Sequence, residues 1–428
     1  MTESTIYAIA TARGGAIGII RVSGPHAIPA VDGIFRGRTP LCNAAPQSLH
    51  FGTIADGEET VDEVLVSVFR APHSYTGQDC VEISCHGSSF ILSRVCQLLA
   101  DAGCRQATGG EFTKRAFLNG KMDLTQAEAV ADLIASETSA QHRVAMSQMR
   151  GGISQKLAEL RDRLLTMTSL LELELDFSEE HVEFADRGQL MSLACEIRDE
   201  IERLSNSFAA GNAIRNGIPV AIIGAPNVGK STLLNALLND DRAIVSDIQG
   251  TTRDVIEDTM TIGGYLFRFI DTAGIRHTDD TIEKMGIERS LRAASRASTI
   301  ILMRDPDTDF PEMDIRSDQT VIRVVNKTES FQAINGTGMQ WLQQQLLASV
   351  PTGNDGDILI TSQRHKEALD LALQDIVRTI SALESGISGD LVSEDLRQCL
   401  NHLGEILGGQ ITPNEVLGRI FARFCIGR

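Results

Sequence analysis

Residues 224–231 read GAPNVGKS, a spacing suited to holding a chain of phosphates. Phosphate oxygens need several donors at close approach. Glycines at 224 and 229 let backbone N–H groups come near without Cβ obstruction, and the helix that follows turns its positive N-terminus toward the anion. Lys230 would reach the β- and γ-phosphates and Ser231 would offer its hydroxyl to Mg²⁺, with Val228 and Thr232 in the same phosphate-binding run. About twenty residues on, DIQGTTRD at 247–254 supplies Thr252 as a candidate to ligate Mg²⁺ and sense the γ-phosphate. Thr251 and Thr252 would pass for turn residues in isolation. Their place between the loop and the next motif gives them the other reading.

That next motif ends the strand-like YLFRFI with Asp271, Thr272, Ala273 and Gly274. Here the aspartate would hold the metal through water and the glycine would face the γ-phosphate. Downstream, VIRVVNKTE brings Asn326 and Lys327, suited to bonding and covering a guanine base, followed by Glu329 where an aspartate is usual. A glutamate carries the same charge one methylene further out, so the bidentate contact with guanine must be re-made. Gln332, Ala333 and Ile334 keep only the alanine of the Ser-Ala-Lys element expected before a Gly-x-Gly turn. The motifs together imply GTP binding and hydrolysis.

Ile275 follows Gly274, at the position where many such hydrolases place a water-orienting glutamine. An apolar side chain cannot orient water, so another residue must, and another positive charge must take the place of an arginine finger. Asn227 in the loop could help bind a monovalent cation or could simply form the turn. Glu283 in TIEKMGIE could act through a water bridge or could be a surface helix residue.

These residues need rigid elements to position them. Residues 1–118 alternate strand-like runs (AIGIIRVSG, VDEVLVSVF, CVEISCHG) with one helical stretch, SFILSRVCQLLADAG, and read as a small α+β domain. Residues 119–215 are helical, with Leu157, Leu160, Leu164, Met167 and Leu171 on one stripe. Residues 216–350 switch to strand, Gly-rich turn and helix, an α/β texture. After the turn-rich PTGNDGD at 351–357, residues up to 428 return to helical stripes at Leu369, Leu373, Ile376 and Ile380 and at Leu396, Leu400, Leu403 and Leu407. The fold class expected is multidomain α/β plus all-α. An α/β nucleotide domain is inserted between two segments of one helical domain. The acidic run at 172–186 reads as a solvated helix end, with partner or metal contact as the alternative.

The chain has 39 Lys and Arg against 57 Asp and Glu, a net charge of −18, so its surface as a whole should repel nucleic acid. An RNA partner would need a local basic patch or a helper protein. Eight cysteines lack the paired spacing of a zinc site and read as reduced thiols. The N-terminus lacks a signal-peptide pattern, and no run approaches the roughly 18 apolar residues of a membrane span. A cytoplasmic location is expected.

Beyond the nucleotide motifs, IGIIRVSGP at 17–25, SYTGQDCVEISCHG at 74–87, GEFTKRAFLNGKMDLTQAEAVADLI at 110–134, GTTRD at 250–254 and FCIGR at 424–428 resemble the MnmE (TrmE) family of bacterial tRNA modification GTPases. The resemblance covers essentially the full length. It implies an N-terminal folate-binding and dimerisation domain, a two-segment helical domain and an inserted P-loop G domain of Ras-like α/β type. It implies GTP and GDP as nucleotides, Mg²⁺ on Ser231 and Thr252, and K⁺ on Asn227, Ser246, Ile248 and Thr251 in the role of the arginine finger. Glu283 matches the family's hydrolytic glutamate, acting with Lys230 and Thr252. Arg21, Glu82, Lys121 and Arg428 would surround 5-formyl-tetrahydrofolate or a related folate, and Cys425 would belong to a functional C-terminal motif. The implied assembly is a homodimer that joins MnmG, an FAD- and NADH-using flavoprotein, in a heterotetramer. Its substrate would be tRNA, whose wobble uridine gains a 5-carboxymethylaminomethyl group. Arg428 stands for the family's usual Lys, Gln78 for Glu and Glu329 for Asp. Two other readings are a ribosome-assembly GTPase of the Era or Der type, for which no basic KH-like GxxG segment is present, and a folate-binding scaffold with weak GTPase activity.

Overall fold

Alternating apolar residues at the N-terminus build a seven-stranded sheet. The computed structural model describes residues 4–12, 14–176, 187–240, 258–270, 292–351, 358–387 and 389–409. Of the described residues, those within 1–131 and 404–428 form one compact unit and those within 132–403 a second.

In the first unit, β1 (Ile6–Ile9), β2 (Ile17–Ser23), β3 (Phe35–Gly37), β4 (Ser48–Asp56), β5 (Glu59–Phe69), β6 (Cys80–His86) and β7 (Arg105–Gln106) are ordered β3-β4-β5-β6-β2-β1-β7. Every pair is antiparallel except β1 with β7. The helices α1 (Ala27–Ile34) and α2 (Ser89–Asp101) cover one face, where Ile20, Val22, Val66, Val81 and Ile83 pack with Val31, Leu92, Val95 and Leu99. Strand alternation puts every second residue on the other face. There Ile17, Leu49, Phe51 and Leu65 are exposed. The sequence predicts one helix here, whereas α1 and α3 (Glu111–Leu118) are helices as well. Pro29 and Gly33 obscure α1, and proline is tolerated there because it sits in the first turn.

α4 (Leu124–Ala135), α5 (Ser139–Met149), α6 (Gly152–Asp176), α7 (Arg187–Asn206) and α8 (Phe208–Asn216) follow. Thr138 starts α5 with a reciprocal capping box to Gln141. The stripe Leu157, Leu160, Leu164, Met167 and Leu171 is buried as its spacing predicts, each leucine gaining about 2 kcal/mol over an exposed one. In helix Gln363–Glu384, Leu369, Ile376 and Ile380 are buried and Leu373 is half-buried. In helix Gly389–Leu407 the deepest line is Val392, Leu396, Cys399, Leu403 and Ile406. Leu400 and Leu407, expected on that line, are only half-buried, because Cys399 fills the core position as a small hydrophobe. Side chains of 172–176, all of 177–186 and most of the 351–357 turn segment lie outside the described residues.

The α/β part has β8 (Ile218–Gly224), α9 (Lys230–Asp240), β9 (Asp258–Ile262), β10 (Tyr265–Phe269), β11 (Thr299–Arg304) and β12 (Thr320–Val325), in sheet order β12-β11-β8-β10-β9. All pairs are parallel except β9 with β10. β8 lies mid-sheet with cores on both sides. Val220 and Ile222 pack toward Leu233, Leu234 and Leu237, while Ala221 and Ile223 pack with Ile300 and Leu302. Burial on both faces is why β8 reads as an unbroken apolar run. Parallel pairing also brings the C-terminal ends of β8, β11 and β12 to one end of the sheet, the place where such folds bind ligands. Among the described residues, no helix is long and apolar enough to cross a membrane, and none of the cysteines is in a disulfide.

Candidate functional site

The strand ends place the 224–231 loop, Asp305 and Asn326 together. Asn227 takes a left-handed φ of 65° and Gly229 a φ of 95°, so the chain curls around its own N–H groups before α9 begins. Two close approaches explain the glycines. A Cβ on Gly224 would lie 2.5 Å from the Met303 carbonyl oxygen, and one on Gly229 would lie 2.4 Å from Asn326 Nδ2. A Cβ at either position would push away the strand or the amide that holds the loop, and the loop so held, with its N–H groups clear of side chains, fits a polyphosphate.

Lys230 Nζ donates to the carbonyls of Gly224 at 2.9 Å and Ala225 at 2.8 Å. Its ammonium is thereby held over the loop. Burial pushes its pKa below the ordinary lysine value, since desolvation disfavours the charged form. Ser231 and Thr232 lie in the first turn of α9, where Ser231 could ligate a divalent cation and the helix dipole favours anionic oxygens. Val228 is buried behind the loop and packs into the core below it.

Asn326 ties the 224–231 loop to the segment that follows β12. Its Nδ2 donates to the Val228 carbonyl at 2.8 Å, and its Oδ1 accepts from the Ala333 N–H at 3.0 Å. Ala333, the surviving residue of the degraded base-side element, is thus fixed by the same side chain that braces the phosphate loop. Lys327, with a left-handed φ of 58°, donates to the Asn227 carbonyl at 3.2 Å and to Asp305 Oδ2 at 2.7 Å. Glu329 is exposed three residues beyond Asn326.

In the first unit, Arg21 and Glu82 are register partners across β2 and β6, and Arg21 Nε and Nη2 each lie 2.8 Å from Glu82 Oε1. The guanidinium also sits over the rings of Tyr75 at 5.3 Å and Phe112 at 5.7 Å. Lys121 Nζ donates to the Pro72 carbonyl at 3.0 Å, and its stem passes 3.3 Å from where a Cβ on Gly77 would stand. The 72–77 segment therefore carries both Lys121 and the Tyr75 ring. Gln78 accepts from Arg115 Nη1 at 3.1 Å. A planar, hydrogen-bonding heterocycle suits this mixture of a paired charge and aromatic faces.

The structure therefore joins Gly224, Asn227, Val228, Gly229, Lys230, Asn326 and Lys327 in one place, and Arg21 with Glu82 in another. Ser246, Ile248, Thr251, Thr252, Asp271, Thr272, Ala273, Gly274, Glu283, Cys425 and Arg428 lie outside the described residues. Sequence reasoning missed Asp305 as a partner of Lys327, and Tyr75 and Phe112 as partners of Arg21. Tyr75 and Phe112 stand inside SYTGQD and GEFTKR, segments conspicuous in the sequence, but nothing in their spacing ties either ring to Arg21.

Similarity to known proteins extends across the whole chain. Residues 5–121 match the family described as GTP-binding protein TrmE N-terminus, and residues 124–425 match the MnmE helical domain. The chain is 52% identical to the tRNA modification GTPase MnmE of Bacteroides fragilis and 52% identical to that of Bacteroides thetaiotaomicron, covering 100% of each pair of chains. It is 46% identical to that of Flavobacterium johnsoniae, again over 100% of both.

Proposed function

The chain belongs to the MnmE family of tRNA modification GTPases, and on that premise we propose that it hydrolyses GTP at the 224–231 loop while helping to form the 5-carboxymethylaminomethyl group on the wobble uridine of tRNA. The observation that carries the nucleotide part is the Asn326 side chain, bonded both to the phosphate loop at Val228 and to the base-side Ala333. One buried amide thereby sets the distance between the two ends of a bound nucleotide.

The residues divide the work. Backbone N–H groups from 224 to 229 and the N-terminus of α9 bind the phosphates, and Lys230 neutralises charge on the β- and γ-oxygens as it develops. Mg²⁺ on Ser231 and Thr252 would supply further positive charge, with Asp271 holding it through water. K⁺ on Asn227, Ser246, Ile248 and Thr251 would supply what an arginine finger supplies elsewhere. Asn227 sits exposed in the loop with its backbone carbonyl engaged by Lys327, so the side-chain amide is the group that would serve the ion. Glu283 positions the attacking water, because Ile275 cannot.

The folate reading rests on Arg21, Glu82 and Lys121, with Arg428 completing the set. The homodimer reading rests on the open sheet face. Phe51 pairs across β4 and β5 with Leu65, and Leu49 with Ser67, which pairs in turn with Glu82 beside Arg21. Phe51 is 66% exposed and Ile17 64%, an apolar surface of the kind that a partner covers. The folate pair and the apolar patch thus occupy adjacent rows of one face, and a second copy would shelter the ligand. MnmG would bring the flavin and much of the positive surface for tRNA, consistent with this chain's net charge of −18. The division at 118, 215 and 350 and a cytoplasmic location belong to the same reading.

GTP hydrolysis measured in K⁺ and in Na⁺ tests it. We expect about tenfold or more faster turnover in K⁺, loss of that advantage in Asn227→Ala, and intact nucleotide binding with poor turnover in Glu283→Ala. Equal rates in the two salts would remove the cation from the mechanism.

A further inference from the structure

Asp305 follows the last residue of β11, beside the strand end that carries the phosphate loop and the one that carries Asn326. Its backbone is locked. The Asp305 N–H donates to Thr308 Oγ1 at 3.0 Å, and its carbonyl accepts from the Thr308 N–H at 3.2 Å. Arg304 Nη1 donates to the carbonyls of Asp305, Pro306 and Thr308, each at 3.0 Å, while its guanidinium lies 5.1 Å from the Phe310 ring centroid. From this fixed base the carboxylate reaches Lys327 Nζ at 2.7 Å. The other oxygen, Oδ1, is buried and has no hydrogen-bond partner among the described residues, so Lys327 is the carboxylate's one side-chain partner there.

We infer that Asp305 is a positioning residue of the nucleotide site, which holds the Lys327 ammonium against the phosphate loop so that the lysine stem is fixed in advance as the cover of the base. The inference rests on the reading of this loop as a guanine-nucleotide site. Lys327 is 55% exposed along its side chain, and a surface ion pair alone contributes little to stability. Its effect on binding is different. A lysine stem carries large rotamer freedom, and ordering it when nucleotide arrives would oppose binding. With the ammonium held at one end by Asp305 and the Asn227 carbonyl, and the left-handed backbone fixing the other, that ordering precedes binding. Because Lys327 covers the ring rather than reading the 2-amino group, the gain applies equally to guanine and hypoxanthine nucleotides. Discrimination between them belongs to Glu329.

Calorimetric titration of the full chain with GDP and with IDP tests this. In Asp305→Ala, both nucleotides should bind about tenfold more weakly. Lys327→Ala should lose at least as much, and the double variant should bind no more weakly than Lys327→Ala alone. Asp305→Asn, which keeps an acceptor for the ammonium, should recover part of the loss, and it guards against a folding defect in the alanine variant. Losses that multiply in the double variant would overturn the inference, because a general loosening of the fold acts without Lys327. So would an effect confined to GDP, which would make Asp305 a direct reader of the 2-amino group, or unchanged affinity in Asp305→Ala. Absence of GDP binding by the unsubstituted chain would overturn the reading of the site itself.

Discussion

Lys230→Ala should lower kcat/KM for GTP by about a thousandfold or more. The lysine is the one ammonium carried by the phosphate loop itself, and the loop holds it through two of its own carbonyls, from Gly224 and Ala225. Its position is set before any substrate arrives, so no reorganisation opposes the reaction. In the proposed mechanism its removal deletes a positive charge beside the transferring phosphoryl group in a partly buried place, where electrostatic stabilisation is strong. A pH dependence goes with it. Burial holds the free protein's Lys230 below lysine's ordinary pKa, and a phosphate beside it raises the value again. The bound state then keeps its proton to higher pH than the free state. GTP affinity should accordingly be full below the lowered value and fall as pH rises through it, with proton uptake on binding. In Lys230→Ala that alkaline limb should disappear. Steady-state hydrolysis and calorimetry at alkaline pH check the two halves.

Asn326→Ala should weaken GTP and GDP binding by about a hundredfold. The residue is 4% exposed, and its amide satisfies the Val228 carbonyl and the Ala333 N–H at once. Truncation leaves both groups without that partner and uncouples the base side from the phosphate loop, each lost contact amounting to about 1–3 kcal/mol. A void also opens against Gly229, whose Cα faces the amide nitrogen. Asn326→Asp tests the donor separately. It keeps the acceptor for Ala333 but presents an oxygen to the Val228 carbonyl, and should bind nearly as weakly as the alanine variant. Equilibrium titration with GDP reads both, and an affinity within threefold of the unsubstituted chain would show that the amide does not join the two halves.

How far the site could be read in advance follows from the range of its interactions. The loop was legible because each residue answers a local demand: Gly224 and Gly229 for close approach, Lys230 and Ser231 for charge and hydroxyl at a helix start. β8 was legible from its unbroken apolar run, and α6 from its stripe. Partners distant in sequence were not. Asn326 and Val228 are 98 residues apart, and Lys327 and Asp305 are 22 apart on neighbouring strand ends. Only sheet order brings them together, and order is not written in periodicity. Arg21 stood out within IGIIRVSGP, but its aromatic neighbours come from a loop and from α3, a short helix of mixed pattern. In helix Gly389–Leu407 the leucine spacing pointed to Leu400 and Leu407, while Cys399, whose thiol reads as chemistry rather than packing, occupies the core.

The chain is a member of the MnmE family of tRNA modification GTPases, and the proposal to be tested is that its GTPase site serves the modification of wobble uridine. Nucleoside analysis of tRNA from cells lacking the gene tests it most directly, with complementation by the unsubstituted chain and by Lys230→Ala. The 5-carboxymethylaminomethyl derivative should disappear in the deletion, return with the unsubstituted chain and stay absent with Lys230→Ala. Unchanged wobble uridines in the deletion, or full recovery with Lys230→Ala, would contradict it.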